Sequence, residues 1–477
     1  MSALWPHQTR SLLATEDGWE RGMRAQILRI PTGGGKTITA MEVIRRALAK
    51  RQRVMFLVHR DNLVRQAIRA AEGRGLACGV IKAGFPEDRS EPFQVASVQT
   101  LSRRDPWPCD LLIPDEAHRA DFDDVVRQQR AAGGAILGLT ATPERANGTP
   151  LGDLYERIID GATYKELLDA RVIVPFRAII PDPVNMVGVR KTFGDYAPEA
   201  LAARMSESKV IGNVADTWEM HSKGIPTLMF CVNLAHAGIV RAELHRRGVA
   251  CVIVDGKTEP EDRDAIQARL TQGNLQVIIN VGVYTEGLDI PSLGCVTILR
   301  PTLSRALWMQ MCNRGCRSFP GKSSFKLVMH VDSIWHHGSP QADHPWDLKT
   351  SSEKKRSGIS GAPIATCPKC HFVRLASEGA CPECGASKPP VFRQFSKAGA
   401  LVEVDPSVFA DIKPVKVDSP EHKHRKALYV LAKVKRVPDA KSFVNAGMET
   451  WRKSQGLTTV WVNGKPVTVP VNPQDLF

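Results

Sequence analysis

The sequence predicts an α/β protein with two parallel-sheet domains in series, then a small four-cysteine module and a basic C-terminal region. Three observations carry that expectation. Short apolar runs alternate with amphipathic stretches through about residue 335. The alternation stops near 170–180 and then restarts. Beyond it, four cysteines fall in two C-x-x-C pairs behind a stretch rich in Ser, Gly, Pro and charge. Runs that are apolar along their whole length suit strands buried on both faces, which means parallel strands covered by helices.

In chain order, AQILRI (25–30), VMFLV (54–58), DLLI (110–113) and AILGLT (135–140) read as buried strands of the first domain, 1–175. Between the first two, Met41, Ile44 and Leu48 share one face of a helix beginning at Lys36. The second domain, 176–337, opens with a strand-poor, helical stretch at 182–224. PTLMFCV (226–232), ACVIV (250–254), QVIIN (276–280), CVTILR (295–300) and KLVMHV (326–331) follow as strands. The composition of 338–365 is that of a linker. The cysteine module spans 366–390, and the region 391–477 carries 14 Lys and Arg against 8 Asp and Glu.

A chain of 477 residues exceeds the roughly 250 that one core usually organises, so several domains are expected. Hydrophobic residues make up 43%, enough for sizeable cores. The net charge of +14 points to a polyanionic partner, although basic composition alone is common on solvated surfaces. No N-terminal stretch has a signal-peptide pattern, and no apolar run approaches the ~20 residues that cross a bilayer. No membrane partner is therefore expected. Of the 11 cysteines, those outside the cluster are dispersed, which suits a reducing cytoplasm better than a disulfide scaffold.

RIPTGGGKT (29–37) joins the first strand to the first helix. A glycine-rich turn and a helix N-terminus together present backbone N–H groups to phosphate oxygens. Thr32, Gly33, Gly34 and Gly35 would form that cradle, with Lys36 reaching the β- and γ-phosphates of ATP and Thr37 ligating Mg²⁺. The strict G-x-x-x-x-G-K-[ST] pattern is missed at its first position, Ile30. LLIPDEAHR (111–119) sets two carboxylates directly after another apolar strand. Asp115 can hold the Mg²⁺ shell and Glu116 can polarise the attacking water. His118 reads either as a coupling residue or as a polar group at a helix start.

At this point the chain resembles the superfamily 2 helicases and translocases, whose DEAD/DEAH-box signature DEAH matches. The resemblance covers roughly 1–335 and implies two tandem RecA-like P-loop domains with ATP in the cleft between them. WPHQ (5–8) is similar to the adenine-reading glutamine motif, with Gln8 as the reader. FLVHRDNLVRQ (56–66) and SVQTL (97–101) resemble segments that hold the nucleic-acid backbone. GLTATPER (138–145), with Thr140 and Thr142, resembles the motif linking hydrolysis to strand movement. INVGVYTEGLDIP (279–291) resembles the motif whose Gly287 and Asp289 sit near the domain interface. QMCNRGCR (310–317) matches Q-x-x-G-R-x-x-R, so the resemblance makes Gln310, Arg314 and Arg317 the groups that cross the cleft to the γ-phosphate. Asn313 departs from the usual glycine. Asn is among the few residues that tolerate a left-handed backbone, so the fold is expected to survive, with ATPase competence the open point. Cys312 and Cys316 have no second Cys or His pair nearby to complete a metal site.

CPKC (367–370) and CPEC (381–384) can each present two thiolates to one ion, so Cys367, Cys370, Cys381 and Cys384 are a candidate Zn²⁺ site, with His371 as a substitute ligand. A superfamily 2 core followed by such a module and a basic tail resembles the RadD-like DNA-repair helicases. That resemblance implies DNA in preference to RNA and suggests repair or single-strand-binding proteins as partners. HKHRKALYVLAKVKR (422–436) fits a phosphate-binding helix and a solvated helix packed on the core equally well. The leading expectation is an ATP-driven DNA helicase or translocase. The alternatives are a nucleotide-gated recruitment protein with weak hydrolysis and the motor of a restriction-like system whose nuclease is a separate subunit.

Overall fold

In the computed structural model two seven-stranded sheets form the cores of two α/β domains. The structure describes residues 4–348 except 106, 146–148, 182, 183, 185, 187, 193, 194, 286 and 289, and beyond 348 only five short strands. The first domain runs α1 (Pro6–Glu20), β1 (Ala25–Arg29), α2 (Lys36–Ala49), β2 (Val54–Val58), α3 (Asp61–Glu72), β3 (Gly79–Ile81) and β4 (Phe93–Ser97). It continues with α4 (Val98–Leu101), β5 (Leu111–Pro114), α5 (Asp123–Ala131), β6 (Ala135–Thr140), β7 (Arg157–Asp160) and α6 (Tyr164–Asp169). Its strands lie in the order β3-β4-β2-β5-β6-β1-β7, every pair parallel.

The period-two geometry of strands divides the apolar runs between two layers. Leu28 and Phe56 pack with Met41 and Ile44 of α2 on one face. Ile27, Met55 and Leu57 pack with Leu112 and Ile136 toward the other. Each such side chain, fully removed from water, contributes about 1.5–3 kcal/mol. Because the parallel strands all run one way, their C-terminal ends line up along one edge. The glycine turn after β1 and the carboxylates after β5 open on that edge, where ligands of open α/β sheets bind.

The second domain runs β8 (Phe176–Ile180), β9 (Lys191–Thr192), β10 (Asp195–Tyr196), α7 (Pro198–Met205), α8 (Ser208–Ser222), β11 (Thr227–Phe230), α9 (Leu234–Arg246) and β12 (Cys251–Val254). It continues with α10 (Pro260–Thr271), β13 (Val277–Asn280), β14 (Cys295–Ile298), α11 (Arg305–Cys312), β15 (Phe325–Met329) and α12 (Ser333–His337). Strands β16 (Ile364–Thr366) and β17 (Val373–Leu375) form an antiparallel pair. Strand β18 (Val402–Val404) adds antiparallel to β8 at the edge of the second sheet, whose order is β12-β13-β11-β14-β15-β8-β18. A separate unit, residues 415–477, contains the hairpin β19 (Leu457–Val462) and β20 (Lys465–Pro470).

Within residues 79–180 four strands escape the apolar pattern, each for a visible reason. β3 and β7 are short edge strands, β4 carries Gln94 and Ser97, and β8 carries an exposed Arg177. The linker expectation also needs correction at its start, because residues 338–348 are packed against the domains. The Trp308 indole donates to Gly338 O at 3.3 Å, Gln341 Nε2 to Val174 O at 3.1 Å, and Gly152 N to Leu348 O at 3.1 Å. Average composition reports flexibility over a window. It does not see that individual side chains such as Gln341 and Leu348 meet fixed partners. Among the described residues no helix is long and apolar enough to cross a membrane.

Candidate active site

The turn after β1 is closed by Gly34 N donating to Pro31 O at 3.0 Å, and Gly35 in the left-handed region caps α2. Lys36 and Thr37 are thereby the first two residues of α2, beside N–H groups that have no partner within the helix. Residues 5–8 lock onto this turn. His7 Nε2 lies 2.8 Å from Gly34 O, and Gln8 Nε2 donates to Gly35 O at 3.2 Å while its Oε1 accepts from Trp5 N at 2.9 Å. Gln8 is buried, so its observed contacts are to backbone. His7 is a turn-holding residue that sequence reasoning passed over, although it stands next to Gln8.

The carboxylates follow β5. Asp115 pairs in register with Leu139, and Glu116 has a φ of +57°, in the left-handed region that costs an L-residue about 1–2 kcal/mol. That step turns the chain so that Ala117 N donates to Leu139 O at 2.9 Å, bringing His118 beneath β6. His118 Nδ1 is 2.9 Å from Thr140 Oγ1 and 3.5 Å from Glu116 Oε2, and its Nε2 is 3.4 Å from Gln310 Nε2. Thr140 Oγ1 also accepts from Thr142 N at 3.0 Å. His118 therefore contacts three expected site residues, Glu116 in its own segment, Thr140 in another segment of the same domain and Gln310 in the other domain.

From the second domain, α11 and the single 3-10 turn after it bring Arg314 and Arg317 to the cleft. Arg314 Nε donates to Gln310 O at 3.0 Å. Cys316 Sγ donates to Thr32 O at 3.4 Å. The approach is close enough to need glycine at 33, where a Cβ would lie 2.8 Å from Ile173 Cγ2, 3.3 Å from Cys316 Sγ and 3.9 Å from Arg317 Cγ. Asn313 has φ −84°, so tolerance of the left-handed region does not explain it. Its side chain is fully buried, with Nδ2 3.1 Å from the Tyr164 hydroxyl, 3.0 Å from Met309 O and 2.8 Å from Pro340 O. Burial also pushes the Cys312 and Cys316 thiols up.

A second seam joins the domains. Arg60 donates to Val283 O at 2.8 Å, and Gly287 O accepts from Gln66 Nε2 at 2.7 Å and Asn62 Nδ2 at 3.3 Å. Side chains of 56–66, which resemble nucleic-acid-holding groups, are thus in part engaged across the cleft. Nothing local in the sequence signals those contacts, because their partners lie more than 200 residues away. Lys322 Nζ, donating to Gly315 O at 2.7 Å and Pro291 O at 2.9 Å, ties the arginine turn to the same loop. Desolvation pulls the Lys322 ammonium down to about 8. Asp289 and the four cysteines lie outside the described residues.

Residues 2–145 match the family described as type III restriction enzyme, res subunit, and residues 210–318 match the helicase conserved C-terminal domain. A 51.5 kDa protein of a Lactococcus phage (isolate 7-9) is 25% identical over 373 residues, covering 75% of this chain and 77% of that protein. The candidate ATP-dependent helicase IRC3 of Saccharomyces cerevisiae is 25% identical over 358 residues, covering 68% of this chain and 50% of that protein. The structure of the ATP-dependent type ISP restriction-modification enzyme LlaBIII bound to DNA is similar in fold, with a TM-score of 0.51 at 15% identity. That match covers 69% of this chain and 28% of that one. The chain spans about half the length of the yeast relative. The phosphate turn falls in the first matched segment and the arginine turn in the second, and the two matches support ATPase/helicase activity.

Proposed function

We propose that the chain is an ATP-driven helicase or translocase that acts on DNA in preference to RNA, of the RadD-like repair type. The observation that carries the reading is the meeting at the cleft of the turn before Lys36, the carboxylates after β5 and the arginines after α11. In this reading Lys36 and the amides of 32–37 bind the triphosphate, and Gln8 and Gly287 border the nucleotide. The residues fit such a group, since a positive-φ glycine turn, a helix N-terminus and adjacent carboxylates are the donor set it needs. Mg²⁺ held through Thr37 and Asp115 would offset charge on the phosphates. Glu116 orients water, and Arg314 and Arg317 supply permanent planar charge where negative charge develops. His118, Thr140, Thr142 and Gln310 couple hydrolysis to domain movement.

DNA is supported by the basic net charge of +14 and by the DNA-bound fold neighbour. A zinc module at Cys367, Cys370, Cys381 and Cys384 is supported by the spacing of its two C-x-x-C pairs. Repair or single-strand-binding proteins are the partners this reading assigns to it. The restriction-family match of 2–145 favours a second reading, a motor that serves a separate nuclease subunit.

ATP hydrolysis measured alone and with single-stranded DNA, forked DNA and RNA tests the proposal. Stimulation by DNA that exceeds stimulation by RNA is expected, abolished by Lys36→Ala and by Glu116→Gln, with Glu116→Gln retaining nucleotide binding. Hydrolysis indifferent to all three nucleic acids, or undiminished in both variants, would refute it.

A further inference from the structure

We propose that Tyr164, Asn313 and Asp343 are positioning residues that fix the Arg314–Arg317 turn relative to the phosphate-binding strand, through the packed strap at 338–348. The inference rests on the ATPase reading above. It begins at Arg29, the last residue of β1 and the entry to the glycine turn. Its side chain is 1% exposed, and a guanidinium cannot shed its charge, so burial demands matched partners. One terminal nitrogen donates to Asp160 Oδ1 at 2.8 Å and to Ala162 O at 2.6 Å, and the other lies 3.9 Å from Asp343 Oδ1. The guanidinium also sits 5.7 Å from the centroid of the Tyr164 ring.

Tyr164 continues the path. Its backbone N donates to the same Asp343 Oδ1 at 2.7 Å, so one strap carboxylate serves both α6 and Arg29. Its hydroxyl is 3.1 Å from Asn313 Nδ2, which also reaches Pro340 O of the strap at 2.8 Å. Burial pushes the Tyr164 phenol well up, so the hydroxyl keeps its proton. The links close a circuit: Arg29 to Tyr164, Tyr164 to Asn313, Asn313 to Pro340, and Asp343 back to Arg29. Asn313 stands immediately before Arg314, and two residues follow it before the cysteine that touches Thr32 O. A glycine at 313 would contribute none of these contacts. The departure from the family pattern is thus what attaches the arginine turn to the strap. Misplacement of a charge donor by about 1 Å can cost about 10²-fold in rate.

Two measurements on the full chain test the circuit. Tyr164→Phe removes one oxygen and keeps the ring over Arg29, and Asn313→Gly removes the amide. Each should lower kcat by about tenfold or more while KM for ATP stays within about threefold, and the double variant should lose little beyond the worse single one. Amide exchange over 309–318 should quicken about tenfold in both, with β2 unchanged. Should Asn313→Gly fail to fold, Asp343→Asn carries the same measurements. With an active wild type, unchanged kcat overturns the proposal, and so does unchanged exchange over 309–318. If the wild type shows no Lys36-dependent hydrolysis, the ATPase reading fails separately, and the exchange measurement alone decides the circuit.

Discussion

Replacing Gly287 by alanine should slow the motor without unfolding either domain. Gly287 has φ +71°, where an L-residue pays about 1–2 kcal/mol. An added Cβ would fall 2.1 Å from Asn62 Nδ2 and 3.2 Å from Leu63 Cδ2, both on the facing helix α3. The amide end of Asn62 can swing away, but then its 3.3 Å bond to Gly287 O is lost, at about 1 kcal/mol. The backbone penalty falls on the stability of the second domain, while the lost bond, about 1 kcal/mol, falls on the closed arrangement of the domains. At 1.4 kcal/mol per tenfold, that cross-domain loss amounts to roughly fivefold in the closed population. Nucleic-acid-stimulated kcat should fall by up to that factor, with the melting temperature lowered about as much as in a positive-φ control. Gly273→Ala is the control: its φ is +80° but no atom lies within 4 Å of the added Cβ, so it should cost stability and leave kcat alone. Near-normal kcat in Gly287→Ala would show that the seam between α3 and the 282–287 loop does not limit turnover.

Three further outcomes are expected. Arg317→Ala should lower turnover by a factor on the order of 10³ with the fold retained, and neutrality in a steady-state assay would make it a surface base. Burial holds His236, His337 and His344 down to about 4 and His330 to about 3, below the ordinary value of 6.5. The unfolded chain therefore takes up protons first on acidification, so stability is complete above about pH 6.5 and drains away toward pH 4. Denaturant midpoints at pH 7.5, 5.5 and 4.5 should fall in that order, and a flat profile would contradict the burial of these rings. Purified protein should carry about one zinc under reducing conditions. Cys381→Ser should release it while basal ATPase persists, whereas loss of hydrolysis would mean that the module is integral to the motor.

The apolar runs, the restart of the pattern and the glycine turn were legible in the sequence because each is a local signal. A parallel strand buried on both faces must be apolar throughout, and a phosphate turn needs its glycines and lysine side by side. The spacing of Gln310, Arg314 and Arg317 is local as well, with Gln310 near the end of α11, Arg314 in the 3-10 turn and Arg317 just past it. What the linear pattern could not fix was which side chains meet across the chain. Asn313 looked like a tolerated substitute for a backbone role, and folding made it a buried donor to Tyr164 and Pro340. His118 gained its definition only when β6 and α11 arrived on either side. Residues 338–348 have the composition of a tether, yet Asp343 caps α6 and faces Arg29, a contact spanning more than 300 positions. Composition and periodicity report what a segment would do with water as its neighbour. These residues have protein as their neighbour instead, and only the tertiary structure decides which atoms that neighbour presents.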